Sequence, residues 1–438
     1  MTELKRSLTP LMVWGLGVGY VISGNYFGWN LGLEKGGTLG LAAAIFFIII
    51  LYITFTFSYT ELACAIPKAG GAFDYARRAL GTDLGFLAGM AQNIEFIFAP
   101  PAIAFAIGSY FNLFFPSLPV LVVAIIAYLL FVGLNIYGVK VAATFELVIT
   151  LLAVAALIFF GGITFPHFQW NNLIKNSLPH GWTGAFAAVP FAIWFFLGIE
   201  GVANLAEEAI NPKRTILLGF GSAITTLVIL CMITFTSSVG VAGWEAIVYK
   251  ADGTTSDSPL PLAMGLIVNS GNVEYRLLLM VGLFGLVASF HGLMLAAGRS
   301  TFEFGRMNYA PAFLGKVHPR FQTPANALLA NMVLGIIALL TGKTAEIITI
   351  SVMGALTLYI ISMIAMLQLR KKEPELHRPF RVPLYPLFPL VALVIASASF
   401  AAVAYYNHKL AVIYLLVMTL SFVMFKLWNR RGPKSSAT

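Results

Sequence analysis

Twelve stretches of the chain are each apolar for roughly the 20 residues that a helix needs to cross a hydrocarbon core. They run over about 11–33, 38–61, 84–110, 119–139, 143–165, 183–206, 215–241, 275–299, 324–342, 346–369, 384–406 and 410–427. Barrel strands would be half as long and would alternate polar with apolar residues, so the segments read as helices. Charged residues are only 10% of the 438 and hydrophobic residues 59%, whereas a soluble domain carries roughly 25% charged residues. The expectation is an all-α integral membrane protein with about 12 transmembrane helices in a lipid bilayer. The opening MTELKRSLTP is polar and basic and leads directly into the first span, so no cleavable leader is expected.

Orientation follows from the connections. If the N-terminus is inside, 21 of the 27 Lys and Arg residues fall on the cytoplasmic side, among them Lys5, Arg6, Lys68, Arg77, Arg78, Lys140, Arg370, Arg430, Arg431 and Lys434. The excess of positive charge on that side predicts both termini in the cytoplasm, an even number of spans and a place in the cell membrane. It accounts for the +9 charge without nucleic acid. Cys64 and Cys231 fall in or beside apolar segments and read as packing residues. No Cys/His cluster has metal spacing and no nucleophile motif stands out, so neither an enzyme nor a cofactor or metal is expected.

Two spans carry polar interruptions. Span six reads Val189-Pro-Phe-Ala-Ile-Trp-Phe-Phe-Leu-Gly-Ile-Glu-Gly-Val-Ala-Asn204. It sets Glu200 between Gly198 and Gly201, where the glycines loosen the helix. Trp194, Phe195 and Phe196 just before supply faces that can hold a cation. An ionisable group at membrane depth is usually functional; the plainer reading is a kinked helix whose Glu200 pairs with a structural arginine. Span one carries Gly24, Gly28 and Gly32 at a helix-packing interval, which leaves Ser23, Asn25 and Asn30 unexplained. These polar groups suggest an unwound centre. Interrupted spans at matching positions of two halves point to a transporter site. The chain therefore divides into inverted five-span repeats, 10–165 and 183–370, with 384–427 as two accessory spans.

Other ionisable groups lie inside spans. Glu95 sits about 16 Å into span three at 1.5 Å per residue, near the midplane, and reads either as a substrate or proton ligand or as a protonated or hydrogen-bonded carboxyl. His291 in span eight is either a proton carrier or a group bonded across helices. Pro100 and Pro101 should kink span three. Glu61 reads as a structural group near the cytoplasmic end of span two, and Glu207 and Glu208 as anchors at the exit of span six. The polar loop 242–273 reads as a cover for the outer mouth.

The stretches Gly19–Leu33, Pro67–Gly81, Phe191–Gly201, Ala206–Glu208 with Asn211–Arg214, and Ala288–Gly292 together resemble the amino acid–polyamine–organocation transporter superfamily, and within it the ethanolamine permeases. The similarity covers spans one to ten. It implies alternating access around a midplane site, in a ten-helix inverted-repeat core with broken helices one and six. Backbone of Ile22, Ser23, Gly24 and Asn25 would meet the substrate, Trp194 would pack over it, and Glu200 would serve proton-linked gating. Some proton-coupled relatives carry a lysine deep in span five; here 147–165 is uncharged.

The resulting expectation is a permease importing ethanolamine or a similar small amine. Ile22, Ser23, Gly24, Asn25, Glu95, Trp194, Phe195 and Gly198 would bind the substrate, and Glu200 and His291 would couple or gate. H+ is the expected coupling ion and Na+ the alternative. An amino-acid permease or exchanger of the same superfamily is the other substrate reading. The isolated ionisable groups argue against a channel, which would keep a continuous polar path.

Overall fold

The computed structural model describes residues 8–68, 70–137 and 143–431. Lys5, Arg6, Lys140 and Lys434 lie outside them. The regular structure of the described chain is helical, apart from two isolated bridges, Leu8 with Ala209 and Tyr249 with Thr255. Among the described residues nine helices are long and apolar enough to cross a membrane. They are the expected spans two, three, four, five, seven, eight, ten, eleven and twelve. Span nine is shorter than its apolar stretch, Ala325–Leu339. Spans one and six account for the remaining two crossings, and both are broken.

Span one begins at Pro10, with Thr9 as its cap; Thr9 Oγ1 accepts from the Met12 N–H at 3.3 Å. Its second half, 30–36, merges with span two into one helix, Asn30–Ala65, bent where Gly37 leaves helical angles. Span three, Thr82–Phe114, is one helix that contains Pro100 and Pro101. Span five is Ala143–Thr164. Span seven starts from Asn211 and Pro212, and Asn211 Oδ1 accepts from the Arg214 N–H at 3.3 Å. Span eight is Val273–Arg306 and span ten Thr344–Lys372.

Burial separates centre from periphery. The most apolar window of span three is 83% buried and that of span ten 78%, against 28% for spans four and twelve. Spans three and ten pack on each other most extensively, and span three also packs on span eight. Span one is held by spans five, seven and eight. The last two spans, Leu387–Tyr406 and His408–Arg431, pack against span ten, and span eleven also touches span two.

Glu61 has the structural role expected of it. Its buried carboxylate accepts from Arg370 Nε and Nη2, both at 2.7 Å, and from the Val382 N–H at 2.7 Å, with Arg378 Nε at 3.3 Å. Spans two and ten and the chain leading to span eleven are thereby clamped together. At the exit of span six, Glu208 pairs with Arg299 of span eight at 3.6 Å.

Candidate functional site

The interruption in span one differs from the one expected. Ser23–Tyr26 forms a helical turn rather than an unwound segment. The Ser23 N–H leaves the helix, donating to Ser289 Oγ of span eight at 3.0 Å. The backbone breaks further on. Phe27 is extended (φ −159°, ψ 172°) and Gly28 has φ +86°, a region that a side chain makes costly. Ile22, Ser23, Gly24 and Asn25 therefore form the rim leading into the break.

Span six breaks where the sequence suggested. Its helix Val189–Trp194 stops, the chain turns through 195–198, and Gly198 takes φ +95°. The chain continues as a ten-residue 3₁₀ helix, Ile199–Glu208. Runs beyond three or four residues are uncommon for that helix type and often mark a hinge.

The two breaks meet. Trp194 Nε1 donates to the Phe27 carbonyl at 3.1 Å, and the two rings sit edge to face with centroids 5.5 Å apart. Gly24 packs directly on the backbone of Trp194 and Phe195. Phe195 is stacked on Trp29, centroids 5.5 Å apart at 24°, so one of the faces proposed for a cation is already covered. Asn25 is buried; its Oδ1 accepts from Thr234 Oγ1 at 3.4 Å while its Nδ2 has no hydrogen-bond partner.

Glu95 and Glu200 come together. They are 0% and 2% exposed, their carboxyl groups lie within reach of each other, and the Gly198 N–H is beside both. Glu200 Oε2 accepts from Tyr359 OH at 2.8 Å, and that hydroxyl is 3.1 Å from Tyr52 OH. Both oxygens of Glu95, and Oε1 of Glu200, have no donor in hydrogen-bonding geometry. Span ten fixes this part of span three, since Ser351 Oγ donates to the Glu95 carbonyl at 2.8 Å. Among the described residues neither carboxylate forms an ion pair, so the structural arginine considered for Glu200 is not there. Two carboxylates this close repel each other. The arrangement can hold a proton between them or bind a cation.

His291 does not join this centre. It faces Glu146 of span five, with Nδ1 4.0 Å from Oε2. Glu146, Tyr52 and Tyr359 are the groups that the sequence did not bring forward; each lies on a different span from the residue it serves. Among the described residues no group of three or more His, Cys, Asp or Glu is placed to hold a metal.

The break in span one is also tied to the loop that follows span seven. Asn30 Oδ1 accepts from the Gly28 N–H at 3.1 Å, and Asn30 Nδ2 donates to the Ser256 carbonyl at 2.8 Å. The neighbouring Asp257 accepts from Thr344 Oγ1 of span ten at 3.2 Å, and burial pushes its carboxyl up to about 6. Loop 242–273 thus reaches both span one and span ten.

Comparison with known proteins gives the context. Residues 8–423 match the family model described as amino acid permease. The chain is 29% identical to an uncharacterised transporter of Rhizobium meliloti (strain 1021), over 92% of this chain and 87% of that one. It is 24% identical to a branched-chain amino acid permease of Bacillus subtilis (strain 168), over 87% and 84%. It is also 24% identical to a low-affinity putrescine importer of Escherichia coli (strain K12), over 84% and 83%.

Proposed function

The chain belongs to the amino acid permease family, a family of transporters rather than enzymes, and from that premise we propose that it imports ethanolamine or a similar small amine. Transport proceeds by alternating access around the paired breaks, with H+ as the coupling ion. In this reading residues 10–165 and 183–370 are the two inverted repeats, 384–427 are accessory, and both termini face the cytoplasm of a cell membrane.

The observation that carries the substrate class is the Glu95–Glu200 pair, buried, without a basic partner among the described residues, and with three oxygens lacking a donor. An ammonium group supplies only donors, and a charge-assisted bond to a carboxylate is the strong kind. The Asn25 amide, a buried donor without an acceptor, complements a hydroxyl. An amino alcohol satisfies both needs and requires no cation for a carboxylate. The amine specificity in the name of the putrescine importer is compatible with this class. One ionised carboxylate binds the ammonium while the other holds the transported proton, and Trp194 and Phe195 wall the substrate where the breaks meet.

The test of the substrate is equilibrium binding of labelled ethanolamine to purified protein. Binding displaced by unlabelled ethanolamine and lost in one of Glu95→Gln and Glu200→Gln, the variant that removes the ammonium's carboxylate, supports the reading. Binding of branched-chain or other amino acids with ethanolamine ignored replaces it with an amino-acid permease.

A further inference from the structure

Glu146 and His291 are buried titratable groups that the carboxyl pair does not use. They are 4% and 7% exposed, and they approach each other at 4.0 Å between Oε2 and Nδ1. The other carboxyl oxygen of Glu146 has no hydrogen-bond partner. Glu146 packs on the first half of span one, and His291 stands beside residues of span eight that do the same. A Cβ at Gly19 would stand 2.8 Å from Thr150 Oγ1 and 3.1 Å from Glu146 Oε1, so the glycine lets these groups of span five close on that backbone. One turn below, Thr150 Oγ1 donates to the Gly15 carbonyl at 3.0 Å. From span eight, Ser289 Oγ donates to the Gly19 carbonyl at 2.6 Å and accepts from the Ser23 N–H at 3.0 Å. The Tyr20 ring lies against Gly292, next to His291.

The surroundings offer the pair little other charge. Tyr20 faces it from span one. Arg299 of span eight lies about 12 Å further along that helix and is held by Glu208 of the 3₁₀ helix at 3.6 Å. Span four presents the Phe131 ring, 6.3 Å from the imidazole. On span seven, which packs on span five, the charged residues Lys213 and Arg214 are exposed at the end where Asn211 caps the helix. Glu95 of span three, which packs on span eight, is turned to Glu200.

We propose that Glu146 and His291 form a single-proton site, separate from the Glu95–Glu200 centre, whose occupancy holds the first half of span one against spans five and eight. With one proton the pair is net neutral, either as carboxylic acid beside neutral imidazole or as carboxylate beside imidazolium. When that proton leaves to water, a lone carboxylate remains in a buried site, a costly state. Movement of span one away from Gly19's present contact admits water and relieves it. Proton release therefore opens the inner half of span one and proton binding closes it. The proposal takes from the proposed function only that span one moves, and its test uses no substrate, so a wrong substrate leaves it standing.

The experiment follows the reactivity of a cysteine at the fully buried Val18. Full-length protein carrying Cys64→Ala, Cys231→Ala and Val18→Cys is reacted with a maleimide at about pH 6 and about pH 8.5, with rates divided by those of the exposed Lys316→Cys to cancel thiol ionisation. The expected normalised rate rises roughly tenfold with pH, the scale of one unit in protonation free energy. The rise is abolished in Glu146→Gln, moved to lower pH in His291→Asn, where the carboxyl no longer shares its proton with the imidazole, and kept in Glu146→Asp, which retains the carboxyl. A flat parent profile, a parent-sized rise in Glu146→Gln, or a parent profile unchanged in His291→Asn overturns the proposal. Should Glu146→Gln fail to elute as a monodisperse protein, the parent, His291→Asn and Glu146→Asp profiles decide it alone.

Discussion

Trp194 Nε1 is bonded to the carbonyl of Phe27 at 3.1 Å, so the break in span six is tied directly to the break in span one. The bond satisfies a buried carbonyl on a chain that has left the helix. Trp194→Phe keeps an aromatic ring and removes the donor. Leaving that acceptor unpaired costs about 1–3 kcal/mol. The expected result is a lower melting temperature, together with roughly tenfold weaker amine binding because the rim of the site loosens. Thermal-shift and binding measurements on the same preparations check both.

Gly28 and Gly198 both require positive φ, +86° and +95°, but their surroundings differ. A Cβ at Gly28 would stand 2.5 Å from Trp194 Nε1, whereas the nearest neighbour at Gly198 is Leu293 Cδ2 at 3.1 Å. Both alanine substitutions carry the backbone penalty of about 1–2 kcal/mol. Gly28→Ala additionally pushes on the indole that joins the breaks. Gly28→Ala should therefore lose more stability and more uptake than Gly198→Ala; equal losses in the two melting curves would contradict this packing.

Asp257 gives the outer loop a pH dependence. Its carboxyl is raised from 3.8 to about 6, chiefly by burial, against the opposing hydrogen bond from Thr344 and the charge of Lys250. The folded state thus binds the proton more tightly than the unfolded state. No penalty applies below about pH 4; stability then falls as pH rises and levels off above about pH 6, by at most about 3 kcal/mol. Hydrogen exchange of residues 249–258 should be faster at about pH 7.5 than at about pH 5, and Asp257→Asn should remove most of the difference.

The clamp on Glu61 is structural. Arg370→Met removes both 2.7 Å bonds and leaves a buried carboxylate with Arg378 and the Val382 N–H. Breaking a buried pair from one side costs about 3–5 kcal/mol, and the remaining partners place the expected loss at the lower end. The melting temperature should drop while the order of substrate preference stays the same. The double variant Glu61→Gln/Arg370→Met should lose less than the sum of the singles.

Much of the architecture is legible in the sequence because lipid demands long apolar helices and tolerates exceptions only where they serve something. That rule located the spans, the interruptions in spans one and six, and the unusual carboxyls Glu95 and Glu200. It does not locate partners. Tyr52 and Tyr359 are ordinary residues of apolar helices, and only the packing of spans two and ten beside span six turns them toward Glu200. Glu146 looked like a residue near the start of a helix, yet the glycines of span one let it reach the core. The break itself was misplaced because Ser23 and Asn25 look like helix breakers. In the fold Ser289 takes the Ser23 N–H and the turn stays helical, while the residue with positive φ, Gly28, was hidden in a glycine spacing that also suits helix packing.

The central claim is that the Glu95–Glu200 pair couples proton and amine movement. Labelled ethanolamine uptake into proteoliposomes, with and without an inward proton gradient, tests it most directly in the wild type, Glu95→Gln and Glu200→Gln. The account predicts accumulation that depends on the gradient in the wild type and accumulation lost in both variants, with counterflow exchange surviving in at least one of them. Gradient-driven accumulation at the wild-type level in both variants would contradict it.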